Sequence, residues 1–156
     1  YLSFFNSTVY TSGYGEQLAI TLPDGSKVML NSKSSLSLDE NNWEDDRSLQ
    51  LEGEAFFDVE TGNTFTVKTD QGNVSVLGTE FNVKAEQNYF EVSCYEGKVK
   101  VHDNIANTDR FLTPSQGYRN IENNEILSSN FDEKQPLWLN KHTLDVNSSG
   151  SASIVS

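Results

Sequence analysis

Few residues of this chain have the type and spacing to do chemistry, and each group stops short of a site. Glu52 and Glu54 stand two apart along one strand face. Such neighbours lie roughly 6.5–7 Å apart, within the range of a glycosidase acid–base pair. Catalytic carboxylates normally flank a cleft from different elements, so the pair reads as strand-surface charge or as a partner for Arg47. Residues 39–46, Asp-Glu-Asn-Asn-Trp-Glu-Asp-Asp, have the acid density of a calcium loop. The sixth position holds Glu44 where such a loop needs glycine for its sharp turn. A solvated acidic loop, with Trp43 packed back onto the fold, is the expectation. His102 and His142 lie far apart and neither has a metal-ligand spacing. Cys94 is the single cysteine, which excludes an internal disulfide and a thiolate cluster. Its neighbours Phe90, Val92 and Tyr95 mark it as a small buried hydrophobe. No Gly-X-Ser-X-Gly elbow, phosphate loop or dinucleotide fingerprint occurs. The residues therefore predict no catalytic, metal or cofactor site, and no enzyme.

The charge balance narrows the partners. Eleven Lys and Arg stand against 23 Asp and Glu, a formal charge of −12 over 156 residues. Such a field repels phosphate backbones and anionic lipid, which argues against nucleic acid and membrane surfaces. No run approaches the roughly 18 apolar residues of a membrane-spanning helix. Tyr1 is preceded by neither an initiator Met nor a leader-like segment, so the chain is expected to be a piece of a longer one or a processed chain.

The elements that would position these residues follow a period of two. Leu18, Ile20 and Leu22 alternate up to Pro23-Asp24-Gly25, and Val28 and Leu30 resume the pattern. A three-residue turn pairs Leu22 with Ser26, Ile20 with Val28 and Leu18 with Leu30, placing every aliphatic on one face. Gly25 then takes the left-handed position. Residues 47–59 form a long half-buried strand with Leu49, Leu51, Gly53, Ala55, Phe57 and Val59 inward and a bend at Gly53. Phe56 breaks the rule on the outer face, as a cover for a neighbouring element or a contact surface. Phe65 and Val67 face Val74 and Val76 across a turn at residues 70–72. Parity changes at Leu77-Gly78-Thr79, which predicts a bulge or a corner. A two-residue turn at Glu96-Gly97 would pair Val92 and Cys94 with Val99 and Val101. Short helices are possible at 34–38 and near Trp138, and residues 1–5 could form a lead-in strand. The expected fold is all-β: a sandwich, jelly-roll-like or short solenoid-like stack of antiparallel strands. Residues 1–140 form the domain. Residues 141–156, Ser- and Gly-rich toward their end, read as a linker or disordered tail.

Taken in order, several segments resemble one family. They are Leu22-Pro-Asp-Gly-Ser-Lys-Val-Met-Leu-Asn31, Leu49-Gln-Leu-Glu-Gly-Glu-Ala-Phe-Phe-Asp-Val59, Phe65-Thr-Val-Lys-Thr69, Val74-Ser-Val-Leu-Gly-Thr-Glu-Phe-Asn-Val83, Glu96-Gly-Lys-Val-Lys-Val101 and Leu112-Thr-Pro-Ser-Gln-Gly117. The set is similar to the FecR family, the periplasmic domain of anti-sigma factors, in its Bacteroidetes-type form. The resemblance covers about residues 14–118, departing slightly at Ser115-Gln116. It marks Pro23, Asp24, Gly25, Ser26, Gly53, Glu54, Gly78, Thr79 and Gly97 as fold-defining rather than as a binding surface.

The resemblance implies the periplasmic part of a single-pass inner-membrane protein. Its partners would be the N-terminal signalling domain of a TonB-dependent outer-membrane receptor and, through a cytoplasmic segment absent here, an extracytoplasmic-function sigma factor. Leu137-Trp-Leu-Asn140 resembles the start of a linker to a further subdomain. It names no contact surface. A second class stays open: a carbohydrate- or small-ligand-binding β domain whose ligand stacks on Trp43, Tyr89 or Tyr95.

Overall fold

The computed structural model describes residues 7–139 together with the backbone of two strands at 143–147 and 152–155. Nearly every ordered segment is a strand, and the strands form one curled sheet folded into two facing walls. The first wall runs β1 (Ser7–Thr11), β4 (Ser35–Asp39), the first half of β5 (Arg47–Asp58), β6 (Phe65–Lys68), β7 (Gly72–Val76), β10 (Val99–Asp103) and β11 (Thr108–Leu112). The second runs β13 (Asn124–Ser129), β12 (Gln116–Ile121), β9 (Tyr89–Glu96), β8 (Glu80–Glu86), the second half of β5, β3 (Lys27–Leu30) and β2 (Leu18–Thr21). Beyond β2 lie β14 (Thr143–Asn147) and β15 (Ala152–Val155). The ladders are antiparallel except for β5 with β6 and β14 with β2.

β5 is the strand that makes two walls out of one sheet. Residues 47–50 pair with β6 and residues 53–58 with β8. Arg47 and Glu60, thirteen residues apart, are joined by a hydrogen bond of 2.8 Å. A straight strand of that length would hold them roughly 40 Å apart, so β5 doubles back. The fold is at Gly53, where φ is +102° and a Cβ would sit 2.3 Å from Ser34 Oγ. Both the left-handed backbone and the close approach require glycine. Ser34 Oγ instead accepts the Glu54 amide at 2.9 Å, so the corner is pinned to the chain entering β4.

Alternation fills the space between the walls. Leu36, Leu49, Leu51, Phe65, Val67, Val74, Val99 and Val101 point inward from the first wall, and Ile20, Val28, Leu30, Phe57, Phe81, Val83, Val92 and Cys94 from the second. Phe57 stacks on Phe81 with centroids 5.0 Å apart, meets Phe65 edge-on, and Phe65 in turn takes Trp43. Trp43 is 1% exposed, packed back from the acidic loop as expected.

Several expectations hold and several are corrected. The β2–β3 hairpin has the expected register, with Gly25 at φ +90°. Phe65 pairs with Val76 and Val67 with Val74. The parity change at 77–79 is a corner, because β7 belongs to the first wall and β8 to the second. The hairpin at Glu96-Gly97 does not form: β9 pairs with β8 and β12, while β10 pairs with β7 and β11. Gly97, at φ +82°, carries the chain across the core, so Cys94 and Val99 project inward from different walls. Residues 34–38 are not helical. Leu36 and Leu38 alternate with Ser35 and Ser37, and period two wins. Among the described residues the helical structure is one turn of 3-10 helix, Glu40–Asn42, and none forms near Trp138. Phe56 is buried against Tyr95, which packs on Phe131, so the chain after β13 covers that face. The expected lead-in strand at residues 1–5 lies outside the described residues, as do residues 148–151 of the expected tail. The division at residue 140 stays a proposal, and β14 and β15 fall on its far side.

Candidate partner-docking face

The two ends of β5 meet at a clamp built on Arg47. Its side chain is 6% exposed. Nη1 donates to Asp24 Oδ2 and to the Glu60 carbonyl, both at 2.8 Å; Nε and Nη2 donate to the Asn63 carbonyl, and Nη2 also reaches the Leu77 carbonyl. A guanidinium presents a planar fork of donors and stays charged, which is why arginine can serve four acceptors from three loops. Burial alone would raise the Asp24 carboxyl. The Arg47 guanidinium, with the Ser26 amide and hydroxyl, holds it below the ordinary carboxylate range instead. Ser26 Oγ also accepts the Glu60 amide, Val59 donates to the Thr79 carbonyl, and Thr79 Oγ1 donates to the Lys98 carbonyl.

Seven of the nine motif residues therefore gather at this end. Asp24 and Ser26 bind directly, and Pro23 and Gly25 shape their turn. Gly78 lies where a Cβ would be 2.6 Å from Thr61 Oγ1, and Gly97 where one would be 2.7 Å from the Gly78 carbonyl. Gly53 and Glu54 sit apart at the corner. Glu54 accepts from Asn31 and Asn82 at 3.0 and 2.9 Å, and Asn82 takes the Trp138 indole N–H at 3.1 Å. Glu52 is exposed on the other side of the corner. Of the two expectations for the pair, strand-surface charge fits exposed Glu52, and neither carboxylate partners Arg47, whose cation goes to Asp24.

Beside the clamp lies a groove of about 610 Å³, lined by Val76, Leu77 and Gly78, by Lys98 and Lys100, and by Phe111. The Leu77 carbonyl is held by Arg47, while its side chain and that of Phe111 are each 59% exposed. Lys100 pairs with Ser75 on one side and Phe111 on the other. Ser75, short beside Lys100 and Thr66, lines the trough. Lys98 Nζ stands 5.3 Å over the Phe111 ring. This face escaped the sequence reading. Its signal was two alternating lysines in a strongly acidic chain, with an aromatic that leaves the inward register.

Other polar clusters are structural. Asp103 is buried; burial would raise its carboxyl, but the Tyr118 hydroxyl at 2.6 Å, the Asn120 amide at 2.8 Å and the Ile105 and Ala106 backbone amides hold it low. Its Oδ1 shapes the turn after β10, and its Oδ2 ties that turn to β12. Burial pushes the Cys94 thiol up to about 11, which suits a buried filler rather than a nucleophile. His102 pairs with Asp109 on the exposed surface, and His142 lies outside the described residues. Among the described residues no group of acids, histidines or cysteines could hold a metal, and no helix is long and apolar enough to cross a membrane. Trp43 is buried and Tyr95 packed between two phenylalanines, so they cannot join Tyr89 as a stacking platform.

Asp58, Glu80 and Glu96 stand in register across β5, β8 and β9. A hydrogen bond with Glu96, partial burial, and the charges of Asp58 and Glu96 push Glu80 up to about 7. Between its ordinary value and about 7 the folded chain holds a proton that the unfolded chain has lost, so stability falls as pH rises through that window. The depressed Asp24 and Asp103 act lower, losing their contribution only below about pH 4. The melting temperature should therefore rise as pH is lowered from about 8 to about 5, and Glu80→Gln should flatten the slope. A wild-type slope matched by the variant would refute this assignment.

Residues 8–100 match the family model described as FecR protein. Two crystal structures of a candidate anti-sigma factor from Parabacteroides distasonis are similar to the chain. One is 32% identical with a TM-score of 0.73 and 82% of this chain covered. The other is 33% identical with a TM-score of 0.72 and 81% covered. The chain spans 61% of the length of each. None of the curated proteins matches it.

Proposed function

The chain belongs to the FecR family, and from that membership we propose that it is the periplasmic signalling module of a single-pass inner-membrane anti-sigma factor. In this reading it relays the loaded state of a TonB-dependent outer-membrane receptor, met through that receptor's N-terminal signalling domain, to an extracytoplasmic-function sigma factor held on the cytoplasmic side. The observation that carries the reading is the family match over residues 8–100, joined by two anti-sigma relatives similar over four fifths of the chain. The module acts by protein contact and is not an enzyme. A sheet doubled on itself and clamped at its open end suits the task, because a relay must move as a unit when a partner binds.

The test is made in the full-length transducer. Deleting residues 14–118 should uncouple sigma-factor output from the receptor's substrate while the protein still inserts. Substrate-dependent induction that survives the deletion would remove the domain from the signalling path.

A further inference from the structure

We propose that the groove between Leu77 and Phe111 docks an extended segment of a partner protein that carries acidic side chains around an apolar anchor. The apolar half of this chemistry is read from the sides. Leu77 and Phe111 are large, more than half exposed and line one groove, on a face where single scattered hydrophobics would need no explanation but a lined trough does. The acidic half is read from the lysines. Lys98, just before β10, and Lys100 on it line the groove. Among the described residues no carboxylate lines it and neither lysine makes an ion pair, although the charge of Lys100 reaches Asp109. This is notable in a chain with more than twice as many acids as bases. The opposite wall carries the Asp58, Glu80 and Glu96 row, three carboxylates in register with Lys27 at one end. An acidic segment is repelled by most of this surface and attracted here, which steers encounter and sets register. Ser75, paired with Lys100 on β10 and Thr66 on β6, offers the anchor a short side chain to rest on. The inference goes beyond the relay proposed above, since it concerns this face whatever protein supplies the segment.

The probe is a library of random peptides displayed on phage, selected on the 156-residue chain and counter-selected on a Lys98→Glu/Lys100→Glu variant. Enriched peptides should carry Asp or Glu around a Leu, Ile or Phe. They should weaken as salt is raised and lose about tenfold or more in affinity on the double variant. Amide resonances of Ser75, Leu77, Lys100 and Phe111 should shift on titration. Phe111→Ser should also lose binding with an unchanged melting curve, and Lys98→Gln/Lys100→Gln replaces the charge reversal if that variant does not fold. The proposal is overturned if nothing is enriched, if enriched peptides show no excess of acids, if the double variant binds them equally, or if the shifts fall elsewhere. It is equally overturned if sedimentation shows a dimer that Phe111→Ser dissolves, which would make a second copy the occupant.

Discussion

Arg47→Ala should cost about 3–5 kcal/mol of folding stability, as expected when one partner of a buried ion pair is removed. The loss has two parts. Asp24 keeps a carboxylate that is 22% exposed, now without its cation, and the Glu60, Asn63 and Leu77 carbonyls lose the part-buried donor that joined them. The guanidinium also lies 5.6 Å from the Phe65 ring, so truncation opens a gap at the edge of the core. Arg47→Lys should recover only part of the loss, because an ammonium supplies charge but not the planar fork that reaches three loops. Urea unfolding of both variants measures this. A loss below about 1 kcal/mol for alanine would place the residue among ordinary surface pairs and sink the clamp.

Phe57→Ala should cost a similar amount, about 3–5 kcal/mol, through the transfer term and the cavity it leaves. Phe57 is fully buried where the two halves of β5 face each other, stacked on Phe81 and edge-on to Phe65. Its neighbours are held by ladders on both sides and cannot collapse into the space. Phe57→Leu, which keeps most of the volume, should lose much less. Equal losses for the two variants would mean that ring geometry, not filled volume, sets the cost.

Local pattern made much of this architecture readable. The β2–β3 register, the β6–β7 hairpin, the bend at Gly53 and the corner at 77–79 all follow from which residues alternate and where glycine interrupts them. What alternation could not reveal was which wall a strand joins. Val92, Cys94, Val99 and Val101 all point inward whether they share a ladder or face each other across the core, so the strands flanking Gly97 were paired wrongly. Residues 34–38 are a milder case, where two leucines two apart carried the strand signal in a stretch too short to exclude a helical turn. Arg47 was legible as a charge needing a partner. Its choice of Asp24 over Glu52 or Glu54 depends on β5 doubling back, a non-local fact. The groove was the least readable feature, since it takes Leu77, Lys98 and Phe111 from three separate parts of the chain.

Because one strand supplies both walls, the domain has no internal seam along which it could come apart. Prising the first wall from the second would require either opening β5 at Gly53 or stripping it from both its neighbours in one wall, β4 and β6 or β3 and β8. Each route exposes the same aromatic stack. The domain should therefore behave as a single cooperative foldon, with partial opening confined to strands remote from β5. Force entering through the chain at one wall is delivered to the other without slack.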